Sequence, residues 1–87
     1  MPGNVAAEQD LDQDEAQQLR EQGTILPLQD ILKAAQNSRQ GRIAEVELKQ
    51  SGNQYIYEIE IIDRKGQVWE MKFDAKTAKL VSHERED

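Results

Sequence analysis

The strongest constraint on this chain is a change of hydrophobic period at Gly41. On its N-terminal side, Leu28, Ile31, Leu32 and Ala35 fall at i, i+3, i+4 and i+7, which is one face of a helix. On its C-terminal side, apolar and charged residues alternate with a period of two, the pattern of strands with one buried face. A chain that switches period once, in this order, specifies helices first and a sheet afterwards.

The alternation divides into strands at turn signals. Over residues 43–50, Ala44, Val46 and Leu48 alternate with Glu45, Glu47 and Lys49. Ser51-Gly52-Asn53-Gln54 is a turn cluster. Over residues 55–62, Tyr55, Tyr57, Ile59 and Ile61 share one face, with Glu58 and Glu60 on the other. Asp63-Arg64-Lys65-Gly66 fits a type I turn with a glycine bulge. Over residues 67–73, Trp69, Met71 and Phe73 point inward, with Glu70 and Lys72 outward. A turn over residues 74–79 leads to Leu80 and Val81, the start of a short fourth strand.

Two helices precede the sheet. The first is expected over residues 11–22, with Asp12 and Glu15 in capping-box spacing and Gly23 just past its end. Its apolar face (Leu11, Ala16, Leu19) is thin, so it is expected to fray. The second takes Pro27 at its first position and stops before Gly41. Residues 1–10 read as a disordered lead-in, 11–82 as the domain and 83–87 as a charged, disordered tail.

Short turns between consecutive strands dictate an antiparallel meander. The expected fold is therefore α+β, with two N-terminal helices packed on one face of a three- to four-stranded sheet. The other face is left to solvent. Trp69 is expected to be the largest single contribution to the core, where full burial of a large side chain is worth about 1.5–3 kcal/mol. With 87 residues, 37% hydrophobic and 32% charged, the chain has room for one domain and a small core.

Composition also excludes functions. The chain has no cysteine, which removes disulfides, thiolate metal sites and cysteine nucleophiles. Its net charge of −6 opposes binding to nucleic acid and to anionic membranes. No apolar run approaches the roughly 20 residues of a membrane helix, so no membrane insertion is expected. The single histidine, His83, falls in the expected tail, where nothing positions it for a triad. Ser38, Ser51 and Ser82 lie in no nucleophile motif, and no phosphate loop, HExxH or calcium loop occurs. The carboxylates alternate onto an open face, which cannot desolvate them enough for acid–base work. No enzymatic activity, cofactor or metal is expected.

That open face is the one surface that stands out. Pairing Gln50 with Tyr55 sets Glu47 against Glu58 and Glu45 against Glu60, and directly opposed like charges destabilise a sheet. The candidate protein-binding face is Glu45, Glu47, Glu58, Glu60, Glu70 and Lys72. Two readings stand: a docking face for a basic partner or a weak cation, and a solvated face whose charges discourage aggregation.

The segments ILPLQDILKAAQ, GRIAEVELKQSGNQYIYEIEIID and KGQVWEMKFDAKTAKL, in this order, resemble the PepSY family. One position departs: Thr77-Ala78 stands where the family usually has Thr-Gly, so a positive φ there loses its glycine. The resemblance implies a helix pair on an antiparallel sheet and a periplasmic or secreted location, with a signal peptide not among these 87 residues. It also implies a protein partner: a peptidase that the domain inhibits or regulates through the sheet face or an edge strand. The alternatives are an accessory or sensor protein of an envelope signalling system responding to cations or a partner, and a structural domain that is a monomer or a weak edge-to-edge dimer.

Overall fold

The computed structural model describes residues 8–86. Among them, the order is β1 (Gln9–Leu11), α1 (Gln13–Glu21), α2 (Leu28–Ser38), β2 (Arg42–Ser51), β3 (Gln54–Ile62), β4 (Val68–Asp74) and β5 (Leu80–Glu86). One sheet holds all five strands in the order β1-β2-β3-β4-β5, and every neighbouring pair is antiparallel. The helices supply the second layer, so the α+β class and the meander hold, with five strands in place of three or four.

β1 and the later part of β5 lie where no strand is expected: Gln9 and Asp10 in the lead-in, Leu11 in the first helix, and residues 83–86 in the tail, while Leu80 and Val81 open the expected fourth strand. β1 falls partly within the expected lead-in, whose residues 1–7 lie outside the described residues. Leu11 sits opposite Leu48 and packs on the core, and Asp10 meets Lys49 at 3.4 Å. β5 runs to Glu86 and takes up residues expected to form a loose tail. It pairs with β4 along its length, and His83 is gripped from the helix layer by Arg39.

α1 begins at Gln13 and carries the expected reciprocal cap. Glu15 N donates to Asp12 Oδ1 at 2.8 Å, and Asp12 N donates to Glu15 Oε1 at 3.1 Å. Ala16 is its only buried residue, and Arg20 Nη1 ties it to the sheet by donating to Tyr57 Oη at 2.9 Å. α2 begins at Leu28, with Pro27 as the capping position and not the first helical residue. It buries Ile31 and Ala35 completely. These lie over Leu48, Tyr57, Ile59, Ile61, Met71 and Phe73, with Ile25 and Ala75 closing the cluster.

Two inward assignments are corrected. A bulge between Ile43 and Glu45 sets Ile43 opposite Ile61 on the core side and leaves Ala44 exposed. Trp69 is only half-buried and lies outside the buried cluster, because it sits where the helix layer ends. Its ring is covered by the Arg39 guanidinium, 3.4 Å from the centroid.

The turns obey local chemistry. Asp63 Oδ1 accepts from Lys65 N and Gln67 N, both at 2.9 Å, and Gly66 takes φ +79°, as a glycine bulge requires. Before β5, Ala78 holds φ +64°, a left-handed conformation that favours glycine, and alanine carries its strain. The turn is closed by Ala78 N to Asp74 O at 2.8 Å and Asp74 N to Lys79 O at 2.9 Å.

Candidate functional site

The β2–β3 register is the expected one: Gln50 faces Tyr55, Glu47 faces Glu58 and Glu45 faces Glu60. Continued across the sheet, it produces ordered rows on the face away from the helices. One row reads Glu45, Glu60, Glu70, Glu84 across four strands. The adjacent row reads Glu47, Glu58, Lys72, Ser82.

The two rows differ electrostatically. Glu58 is only 8% exposed, and Lys49 Nζ at 3.5 Å and Lys72 Nζ at 3.7 Å flank its carboxylate. Lys49 also reaches Asp10 at 3.4 Å. The middle of the face is thus an internally neutralised cluster. The all-glutamate row has no lysine within it. Partial burial, then the charges of Glu58 and Glu86, pushes the Glu70 carboxyl above its ordinary range. Glu86 is raised by burial, then by the charge and hydrogen bond of Glu60. Glu47 is raised by burial and then by Glu45.

The sheet therefore brings all six candidate residues onto one face, but in two roles. Glu58 and Lys72 are bound up with one another. Glu45, Glu60 and Glu70 belong to the all-glutamate row, which holds no ion pair among the described residues, and Glu47 lies beside it at the sheet margin. Glu84 extends the row to β5 and was not among the expected residues, because its stretch was assigned to the tail. The parity of Ser82, Glu84 and Glu86 was the available signal. No group of three or more His, Asp or Glu converges as a metal site among the described residues.

A second polar cluster lies on the opposite side of the sheet. Trp69 Nε1 donates to Asp63 Oδ2 at 2.9 Å, Arg39 stacks on the Trp69 ring, and Arg39 Nε donates to His83 Nε2 at 2.9 Å. The His83 and Trp69 rings lie 5.1 Å apart. Burial, then Arg39, lowers the His83 pKa. The Trp69 hydrogen bond leads the influences that lower that of Asp63. His83, expected in a loose tail, instead joins Arg39 in clamping the end of α2 to the last strand.

The family described as "Peptidase propeptide and YPEB domain", PepSY, matches residues 25–84. The chain belongs to the PepSY family. The matched stretch takes in α2, β2, β3, β4 and most of β5, while β1 and α1 lie outside it. Comparison with curated proteins and with solved structures returned no match. Among the described residues of this PepSY protein, no helix is long and apolar enough to cross a membrane.

Proposed function

We propose that this PepSY protein is a non-enzymatic binding module of the cell envelope that inhibits or regulates a peptidase, meeting it through the open face of the sheet. The observation that carries the reading is the family match, under a description that names peptidase propeptides, over residues 25–84. The carboxylate row supports the choice of face. Opposed glutamates cost stability in the isolated domain, and a basic partner surface offsets that cost on docking.

The test uses the full chain and the triple variant Glu45→Lys, Glu70→Lys, Glu84→Lys. Each is added to exported peptidase fractions of the source organism, and the hydrolysis of fluorogenic peptides is followed. Saturable inhibition by the native chain is expected, weakened in the variant and in high salt. The reading falls if no peptidase activity responds. A sensor of cations remains the lesser alternative, resting on the same row of glutamates without a convergent ligand group.

A further inference from the structure

β1 covers only a short part of the sheet edge. It pairs with Leu48, Lys49 and Gln50, and then the chain turns away into α1 at Asp12. Below that point, residues 45–47 keep an unbroken ladder with β3 on one side. On the other side no strand pairs with them among the described residues. Among the described residues, no backbone hydrogen bond outside the ladder engages them either. The bulge at Ala44 ends this straight rim.

Beside the rim lies a groove of about 440 Å³, between β2 and α1. Leu11, Ala16, Leu28, Val46, Leu48 and Tyr57 line its apolar part. Leu11 and Ala16 stand outside the stretch matched by the family, so this wall belongs to the N-terminal segment of this chain. Leu11, Leu28 and Val46 are only half-buried, so apolar surface remains open to solvent there.

The pleat dictates what fits. A residue added opposite Val46 turns its side chain to the helix side, into the groove. Its two neighbours turn to the other side, where Glu45 and Glu47 stand. We propose that residues 45–47 accept one extended segment of a protein partner as an added strand, and that the segment carries a basic–apolar–basic triplet. The apolar side chain fills the groove beside Val46, and the two basic side chains meet Glu45 and Glu47. Backbone pairing supplies attachment, and the alternation supplies selectivity. This inference rests on the reading of the chain as a binding module and adds a second, sequence-selective surface to its open face.

The probe is a capped seven-residue peptide, Ser-Thr-Lys-Leu-Lys-Thr-Ser, titrated to about 1 mM into isotopically labelled full chain and followed by NMR. Amide shifts are expected at Glu45, Val46 and Glu47, with methyl shifts at Val46, Leu28 and Ala16. A peptide of the same composition with the order Leu-Lys-Lys is expected to bind about ten-fold more weakly, having lost the alternation. Two N-methylated versions, one on leucine and one on both lysines, separate strand addition from charge attraction. Only the version whose blocked amides face the rim loses binding, by about ten-fold. The variant Glu45→Lys, Glu47→Lys, both changed at the sheet margin, is expected to abolish the shifts while melting at or above the native temperature, since each lysine then faces a glutamate.

Equal binding of the reordered peptide, indifference to both N-methylations, shifts centred on Glu70 and Glu84, or no binding at all overturns the inference. The outcome is independent of the peptidase assay. Regulation of a peptidase by the open face with no peptide at the rim removes this site alone. Peptide at the rim with no peptidase affected removes the peptidase and keeps the site.

Discussion

Arg39 Nε donates to His83 Nε2 at 2.9 Å, which requires His83 to be neutral, with its proton on Nδ1. The surrounding groups reinforce that state. Trp69 lies against the His83 ring, Asp63 reaches Arg39 only at 4.0 Å, and Arg85 follows on the same face of β5.

From this follows a pH dependence of defined sign. Burial and Arg39 lower the His83 pKa below its ordinary 6.5, so the unfolded chain takes up this proton first on acidification. The stability contributed by neutral His83 is therefore complete above pH 6.5 and is lost as pH falls from there through the folded pKa. Asp63, also lowered, adds a loss in the same direction in a more acidic window, below its ordinary 3.8. His83→Gln keeps an acceptor for Arg39 without a titrating group. Thermal melts across pH 7.5 to 5 are expected to fall for the native chain and to stay flatter for the variant, to about the effect of one histidine. Parallel curves would show that the Arg39–His83 bond contributes nothing to stability.

The carboxylate row predicts the opposite sign. Glu70 faces Glu60 on one side and Glu84 on the other, and its pKa is raised. Glu70→Gln removes one charge from the centre of the row and is expected to raise stability at pH 7 by about 0.2–1 kcal/mol. Urea unfolding measures the gain, which should shrink in high salt and as acidification protonates the native Glu70. A loss of stability at low salt would mean that Lys49 and Lys72 already neutralise the row.

Gly41 joins α2 to β2 where the chain crosses the sheet. A Cβ added there would lie 2.6 Å from both Ile61 Cγ2 and the Ile62 carbonyl oxygen, and φ stands at +153°. Backbone cannot yield as a side chain does, so Gly41→Ala is expected to cost about 1–3 kcal/mol. Gly23→Ala is the control, with positive φ but nothing within 4 Å of the added carbon. Denaturant midpoints should fall further for Gly41→Ala than for Gly23→Ala.

Ala78 offers a stabilising change. Its φ of +64° costs alanine about 1 kcal/mol that glycine does not incur. Ala78→Gly loses the methyl group that packs against the core and gains unfolded-state freedom. The net expectation is a rise in stability of less than about 1 kcal/mol, read as a higher melting temperature.

The parts of the fold that were legible in the sequence are those whose burial is periodic. Leu28, Ile31, Leu32 and Ala35 announced α2, and the alternation through Tyr57, Ile59 and Ile61 announced β3 together with its register to β2. β1 has three residues, too few to show a period. The start of β5 at Leu80 and Val81 was legible, but its continuation to Glu86 was hidden for a different reason. Its His83 is held by a guanidinium and an indole, so no apolar stripe marks its inward face. The Ala44 bulge escaped because Ile43 and Ala44 are both apolar, and a one-residue slip between them leaves the pattern unchanged. Of the candidate face, five glutamates and a lysine were placed correctly by parity, but parity says nothing of the lysines that isolate Glu58 from the rest.

The order of the strands has a kinetic consequence. β2, β3 and β4 each pair with the next strand in sequence across a short turn, so each pairing closes only a short loop. β1 is the exception, because it reaches β2 across both helices for only three residue pairs. Long closure with little reward makes it the last strand to zip and the first to open. In hydrogen exchange, its amides should exchange at a rate set by local opening, well ahead of β3. The edge of the sheet thus breathes on its own clock, while the four-stranded meander behind it stays shut.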